Sequence, residues 1–132
     1  MAGHDLVVDC SDSFDTRYAV NTACCDARIP LVEGGVTGFA GLVMSILPHL
    51  TACYRCAFPE PPPPEAVRPC AEAGILGPAA GVAGSLQALE AIKVLAGLDG
   101  AVTDGFLQLD LLTAGITRVT VTRRDDCPDC GP

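Results

Sequence analysis

Residues 5–20, DLVVDCSDSFDTRYAV, combine an apolar run with a helical pattern and decide the fold class. The run at 5–10 shows no alternation of apolar and polar residues, which predicts a strand buried on both faces of a sheet. Ser11 or Ser13 can then cap a helix, because apolar positions recur near a 3.6-residue period from Phe14 onwards. A strand followed at once by a helix is half of a βαβ unit and predicts an α/β fold.

Two further pairs of apolar runs predict hairpins. LVEGGV (31–36) and GLVMSIL (41–47) are too close for a helix between them, and FLQLDLL (106–112) is followed closely by TRVTVTRR (117–124). Each pair is therefore expected to be antiparallel. Together with the first strand and helix, they predict a mixed sheet in a single α/β domain.

The stretch GPAAGVAGSLQALEAIKVLAGL (77–98) has the strongest helical pattern in the chain. Pro78 suits a first helical turn, and Gly97 suits a C-terminal cap. The length would also suit a membrane span. Three glycines at its start and one polar stripe instead favour a helix packed closely against backbone, without a membrane partner; the stripe consists of Gln87, Glu90 and Lys93.

Composition limits the classes of partner. Hydrophobic residues make up 49% of the 132 residues and charged residues 18%, which excludes disorder and predicts an apolar surface that a partner or a missing half covers. A net charge of -8 and the lack of Trp exclude nucleic acid as a partner. The first ten residues lack the basic and apolar segments of a signal peptide, so we expect a cytoplasmic protein with reduced cysteines.

The sequence contains two CxxC pairs, CYRC at 53–56 and CPDC at 127–130. Four thiolates arranged in two such pairs satisfy the tetrahedral coordination of zinc, and the ion would join two distant hairpin ends. A thioredoxin-like redox pair and free surface cysteines are the alternatives. The redox alternative requires a CxxC pair at the start of a helix, where neither pair is predicted.

Residues 51–74 contain six of the 11 prolines and no periodic apolar pattern, which predicts a long surface loop of functional importance. Cys70 lies in this loop near Arg68 and could act as a nucleophile or persulfide carrier, because cationic surroundings raise the thiolate fraction. Spacing alone does not separate that role from an ordinary thiol. Three further cysteines are expected at buried strand or helix positions as small hydrophobic residues: Cys10, Cys24 and Cys25.

Asp9 and Asp12 follow the first predicted strand, at the edge where open α/β sheets bind ligands. A carboxylate there can hold Mg²⁺ against nucleotide phosphates. Helix capping explains the same acidic and hydroxyl residues equally well, because they also suit a helix N-terminus.

Five segments together resemble the ThiF/MoeB/HesA family of ubiquitin-activating-enzyme-like adenylyltransferases. They are DLVVDCSDSFDTRYAVNTAC, PLVEGGVTGFAGLV, CYRCAFPEPPPP, PCAEAGILGPAAGVAGSLQALEAIKVLAG and CPDCG, in the family's order. The resemblance implies an enzyme that uses ATP and Mg²⁺ to adenylate the C-terminal Gly-Gly of a ubiquitin-like sulfur carrier. A carrier of the ThiS or MoaD type would serve thiamine or molybdopterin biosynthesis, and the enzyme would be a homodimer.

The resemblance also implies roles for individual residues. Asp12 matches the aspartate that binds magnesium and the nucleotide phosphates, and Arg17 matches the arginine downstream of it. Cys70 matches the crossover-loop cysteine, which forms a covalent link to the carrier in some members. Ser13 stands where the family usually has asparagine, and serine has a shorter reach and no amide. The structural zinc ligands would be Cys53, Cys56, Cys127 and Cys130.

Family members begin with a Rossmann-like half that carries a GxGGxG turn, and this sequence has no such turn. Residues 1–132 are therefore expected to form a partial domain equivalent to the C-terminal half, with 51–74 as the crossover loop. The chain would then be a portion of an adenylating enzyme. The alternatives are a non-catalytic, zinc-stabilised module for carrier binding or dimerisation, and a sulfur relay through Cys70.

Overall fold

The computed structural model describes residues 3–63 and 74–131. Within these ranges, a strand-helix-strand unit is followed by three more strands, which complete one sheet, and by two more helices. The elements are β1 (Val7–Asp9), α1 (Phe14–Ala27), β2 (Leu31–Thr37), β3 (Ala40–Ile46), α2 (Tyr54–Ala57), α3 (Gly77–Leu95), β4 (Gly105–Asp110) and β5 (Gly115–Thr120).

The five strands lie side by side in chain order. β1 is parallel to β2, because α1 carries the chain back to the end of the sheet where β1 begins. The remaining neighbouring strands are antiparallel. Both predicted hairpins and the mixed α/β sheet are confirmed. The turn between β2 and β3 contains Gly38 at φ +54°, a left-handed conformation that glycine adopts without strain.

The prediction that the first strand is buried on both faces is wrong for the described structure. Val8 is 45% exposed, whereas Asp9 on the opposite face is 6% exposed. β1 pairs with β2 along one edge, and among the described residues no strand pairs with its other edge. The apolar run therefore marks a strand whose second face and outer edge remain open.

Helix α1 begins as its sequence predicts. The Ser13 hydroxyl accepts a hydrogen bond from the Thr16 backbone N–H at 3.2 Å, which caps the first turn. The helix ends at Arg28, whose left-handed backbone lets its N–H reach the last carbonyl groups. Its buried face packs toward β1, β2 and the segment around α2.

The polar stripe of helix α3 faces the protein interior, whereas the polar side of an isolated soluble helix would face water. Gln87 and Glu90 are only 4% and 3% exposed, because the stripe faces the sheet. Glu90 accepts hydrogen bonds from the Ser45 hydroxyl at 2.9 Å and the Val102 N–H at 2.7 Å, and it pairs with Lys93. Three of the residues that point outward are apolar and more than half exposed: Leu89, Ile92 and Leu95.

The outward apolar face of α3 agrees with the composition, which predicted a surface for something else to cover. In the described part of the chain, no helix combines the length and the hydropathy that a membrane crossing requires.

The sheet separates two apolar clusters. One cluster, on the side of α1, joins Tyr18, Leu31 and Met44 to the four cysteines of the CxxC pairs. The other, on the side of α3, contains Val32, Val43, Ala83 and Leu109.

Candidate functional site

The two CxxC pairs come together as a buried group of four sulfur atoms. The Sγ atoms are 3.9 Å apart between Cys53 and Cys56, 3.6 Å between Cys53 and Cys127, and 3.4 Å between Cys56 and Cys130. All four lie within 4.8 Å of one another, and such a group could hold a metal ion. It joins α2 to the turn that follows β5, which are distant in sequence.

Hydrogen bonds orient the backbone around this group. Asn21 accepts from the Tyr54 N–H at 2.9 Å and donates to the Asp129 carboxylate at 2.7 Å. Asp129 also accepts from Arg55 at 2.9 Å. The Arg124 N–H points at the Cys56 sulfur at 3.4 Å. These contacts hold both CxxC turns against α1.

The thiols themselves interact within the group. A hydrogen bond from the Cys25 thiol lowers the pKa of Cys53, while burial raises the pKa of Cys127 and Cys130. The expectation that neither CxxC pair begins a helix is wrong for the first pair, since Cys53 is the N-cap of α2. Helix α2 has only four residues. The sulfur atoms of Cys53 and Cys56 face the second CxxC pair rather than an open surface.

A cavity of about 970 Å³ lies at the carboxyl ends of β1 and β2, as the sequence predicted for a ligand crevice. Asp12 and Arg17 both line it, so the structure brings together two of the three predicted catalytic residues. Cys70 and Arg68 lie outside the described residues. The four-cysteine group is not part of the cavity lining.

Asp12 lies on the turn 9–13, which is held in place from several sides. The Asp9 carboxylate accepts from the Ser11 N–H at 2.9 Å and from the Ser11 hydroxyl at 3.2 Å. Arg17 donates to the Ser11 carbonyl at 2.7 Å. Ser13, rather than Asp12, is the N-cap of α1, and the exposed Asp12 carboxylate lines the cavity.

Sequence reasoning missed Glu33, which pairs with the cavity residue Arg17. It is fully buried on β2 and forms an ion pair with Arg17. Burial raises the pKa of Glu33 to about 9, although the neighbouring Arg17 guanidinium opposes that rise. The available signal was a single acidic residue inside the apolar run PLVEGGV, where a buried charge requires a partner.

Gln87 was predicted only as part of a polar stripe, yet its amide joins α3 to the cavity edge. Its Nε2 donates to the Asp9 carbonyl at 2.8 Å and the Val32 carbonyl at 3.3 Å, and its Oε1 accepts from the Cys10 thiol at 3.4 Å. A Cβ at Gly34 would lie 2.2 Å from the Gln87 side chain, so this approach requires glycine.

We expect Gln87→Leu to destabilise the chain by about 1–3 kcal/mol, because it removes the hydrogen bonds that the amide adds to the Asp9 and Val32 carbonyl groups, which also lie in the ladder between β1 and β2. Urea unfolding measures this loss. Gln108→Leu, at an exposed position on β4, is the matched control and should change the free energy of unfolding little. Equal effects of the two substitutions would show that the Gln87 hydrogen bonds do not stabilise the fold.

The remaining cysteine predictions are met in part. Cys24 and Cys25 are buried on α1, as expected. Cys10 is exposed, which corrects the expectation of a buried strand position. Cys10 comes directly after Asp9, the last residue of β1, and lines the cavity mouth. No described element covers it there.

The sequence profile of the ThiF family matches residues 1–129. The chain belongs to the ThiF family. A sulfur carrier protein adenylyltransferase of Thermus thermophilus is 47% identical over 97% of this ThiF-family chain and 49% of its own length. The SAMP-activating enzyme E1 of Haloferax volcanii is 41% identical over 99% of the chain and 48% of its own length. This member thus spans about half the length of these two curated relatives.

Solved structures support the fold of this ThiF-family chain. Escherichia coli MccB, in a crystal structure with ATP, superposes with a TM-score of 0.78 at 20% identity, over 97% of this chain and 40% of MccB. A heterocyclase in complex with substrate and cofactor gives a TM-score of 0.76 at 16% identity, over 99% and 21% of the two chains. At these identities the two structures show a shared fold.

Proposed function

We propose that this chain contributes the magnesium-binding edge of an adenylation site in an ATP-dependent sulfur-carrier adenylyltransferase. The observation that carries the proposal is the position of Asp12 on a braced turn at the mouth of the cavity, with Arg17 beside it. The names of the curated relatives support the same activity.

The chemistry of the proposed reaction is the activation of a poor electrophile. A carboxylate resists nucleophilic attack, whereas an acyl-adenylate carries AMP as a good leaving group. Asp12 would hold Mg²⁺, which supplies charge neutralisation at the nucleotide phosphates when it is bound. The carboxylate oxygen of Asp12 is a hard ligand of the kind that Mg²⁺ prefers, and the side chain is exposed.

The described residues account for only part of a nucleotide site. Among those that line the cavity, Arg17 is the one cation, and it is already paired with Glu33. ATP phosphates require further positive charge or backbone N–H groups. We therefore propose that residues 1–132 supply the C-terminal half of the domain and that the phosphate-binding half comes from additional sequence or another polypeptide.

We also propose that the four-cysteine group binds a structural zinc ion. A zinc tetrahedron with Zn–S bonds of about 2.3 Å has sulfur-sulfur edges of about 3.8 Å. The observed separations of 3.4, 3.6 and 3.9 Å are close to that edge. All four ligands come from the chain and are buried, which is typical of a structural rather than a catalytic zinc site.

Several finer expectations are part of the same proposal. The substrate would be the C-terminal Gly-Gly of a ThiS-type or MoaD-type carrier, which would place the enzyme in thiamine or molybdopterin biosynthesis. Cys70 would form the covalent link to the carrier. The enzyme would act as a homodimer in the cytoplasm.

A non-catalytic module for carrier binding or dimerisation is the second candidate function. The outward apolar face of α3 favours it, because three aliphatic side chains more than half exposed indicate a surface that another protein covers. The two candidates differ in whether ATP is consumed.

Carrier-dependent ATP-pyrophosphate exchange, measured together with zinc content, tests the proposed function. The adenylyltransferase predicts exchange that requires a Gly-Gly carrier once the phosphate-binding half is present, and one zinc ion per chain. A carrier that lacks its last two residues is the control and should not support exchange. Carrier binding without exchange in the complete protein would favour the non-catalytic module.

ThiS-type and MoaD-type carriers compared in the same assay would separate the two pathways. The carrier with the higher kcat/KM identifies the pathway. Equal values would contradict assignment to a single carrier.

A further inference from the structure

Two acidic side chains lie next to each other on the parallel strands β1 and β2. Asp9 and Glu33 are register partners, so their side chains project from the same face of the sheet. They are only 6% and 0% exposed. Two ionised carboxylates on directly paired strand positions repel each other strongly when water is excluded.

The oxygen atoms of this pair show how the repulsion is relieved. Glu33 Oε1 pairs with Arg17, but the buried Oε2 receives no hydrogen bond from the described residues when the carboxyl group is ionised. The neighbouring Asp9 carboxyl group also raises the pKa of Glu33, as expected for two carboxyl groups on paired strands that are close enough to share a hydrogen bond. Two carboxylate oxygens can form such a bond only when one of them carries a proton.

We propose that Glu33 is a positioning residue that donates a proton-mediated hydrogen bond from Oε2 to Asp9 and orients Arg17 through Oε1. Asp9 and Arg17 both bind Ser11, so this arrangement holds the turn 9–13 and places Asp12 at the cavity. The proposal rests on the proposed function for the role of Asp12.

The charges around Glu33 balance in this arrangement. Arg17 faces it from α1, Asp9 from β1 and Tyr54 from α2, while the uncharged Met44 is its register partner on β3. Burial raises the pKa of Tyr54 to about 12, so that phenol is neutral. With Glu33 protonated, the single positive charge of Arg17 is matched by the single negative charge of Asp9.

Two substitutions separate the hydrogen bonds of Glu33 from its volume. Glu33→Gln keeps both bonds, because the amide N–H can donate to Asp9 and the amide oxygen can accept from Arg17. Glu33→Leu keeps a similar size and removes both bonds. The positioning role therefore predicts rescue by glutamine and loss with leucine.

The first test measures the ionisation of Glu33 directly in this chain. Carbon-13 NMR of the Glu33 side-chain carboxyl group should show a group that is still protonated at pH 7. The unfolded chain releases this proton near pH 4.5 and the folded chain only near pH 9, so the folded state binds more protons between these values. The unfolding equilibrium constant should therefore rise by up to about tenfold per pH unit across that interval.

Glu33→Gln should remove this contribution to the pH dependence of stability, while Asp26→Asn should retain it. Asp26 is an exposed carboxylate on α1 and serves as the matched control. A Glu33 carboxyl group that is ionised at pH 7, or an unchanged pH slope in Glu33→Gln, would overturn the proposal. Both readouts remain decisive if Glu33→Leu fails to fold.

The second test follows the turn and the reaction. Glu33→Leu should shift the backbone amide NMR signals of residues 10–13 and lower the kcat of adenylate formation in the complete enzyme about 100-fold. Glu33→Gln should leave both near the wild-type values at pH 7. Unchanged turn signals in a folded Glu33→Leu variant would contradict the positioning role. If the turn signals shift in Glu33→Leu but the complete wild-type enzyme shows no adenylation, the proposed function alone is contradicted.

Discussion

Replacing Cys56 by serine is expected to weaken zinc binding by more than about 100-fold, a larger effect than the loss of a residue that merely orients a ligand. Serine does not provide the thiolate that completes a four-sulfur site. Because the four cysteines join α2 to the turn after β5, loss of the metal should also remove on the order of 5 kcal/mol or more of folding free energy. Metal analysis and thermal unfolding measure the two losses.

Cys10→Ser is the matched control for this experiment. Cys10 is an exposed thiol outside the four-cysteine group, so its replacement should leave the zinc content at one ion per chain. A metal chelator should reproduce the destabilisation of Cys56→Ser in the wild-type chain and add nothing in the variant. Full zinc content in Cys56→Ser would refute the assignment of Cys56 as a ligand.

Replacing Asp12 by asparagine is expected to lower the rate of adenylate formation in the complete enzyme about 1,000-fold. The amide keeps the size of the side chain but removes the negative charge that would hold Mg²⁺ at the nucleotide phosphates. A loss of several kcal/mol of charge stabilisation in the transition state corresponds to that factor. The exposed side chain lies outside the apolar core, so the free energy of unfolding should change little.

Asp15→Asn provides the comparison for Asp12→Asn. Asp15 is also an exposed acidic residue and lies in the first turn of α1, but it is not among the residues that line the cavity. Its replacement should leave the rate of adenylation unchanged, and raising the Mg²⁺ concentration should partly restore Asp12→Asn. Equal losses in both variants would indicate a general effect of charge near the helix N-terminus.

Much of the fold was predictable because its signals are local. The hairpins follow from short gaps between apolar runs, and the start of α1 follows from the capping hydroxyl of Ser13. The four-cysteine group was predictable for a different reason: a CxxC spacing limits where two sulfurs can point, even when the second pair is distant in sequence.

Part of the candidate site could not be predicted from local patterns. Asp12 was predicted from its position after the first strand, and Arg17 from its resemblance to a family motif. The interactions of Glu33 and Gln87 became visible only with their partners. Each partner comes from another element, and a polar side chain in an apolar run shows no sign of which element will pair with it.

The direction of α3 provides the clearest contrast between sequence and tertiary structure. Its sequence alone determined that residues 77–95 form a helix with one polar stripe, because propensity and periodicity are properties of neighbouring residues. Only the tertiary structure decided that the stripe faces inward. Gly34 leaves room for the Gln87 amide, and Ser45 and Val102 supply donors to Glu90, so burial of these polar groups is compensated by hydrogen bonds.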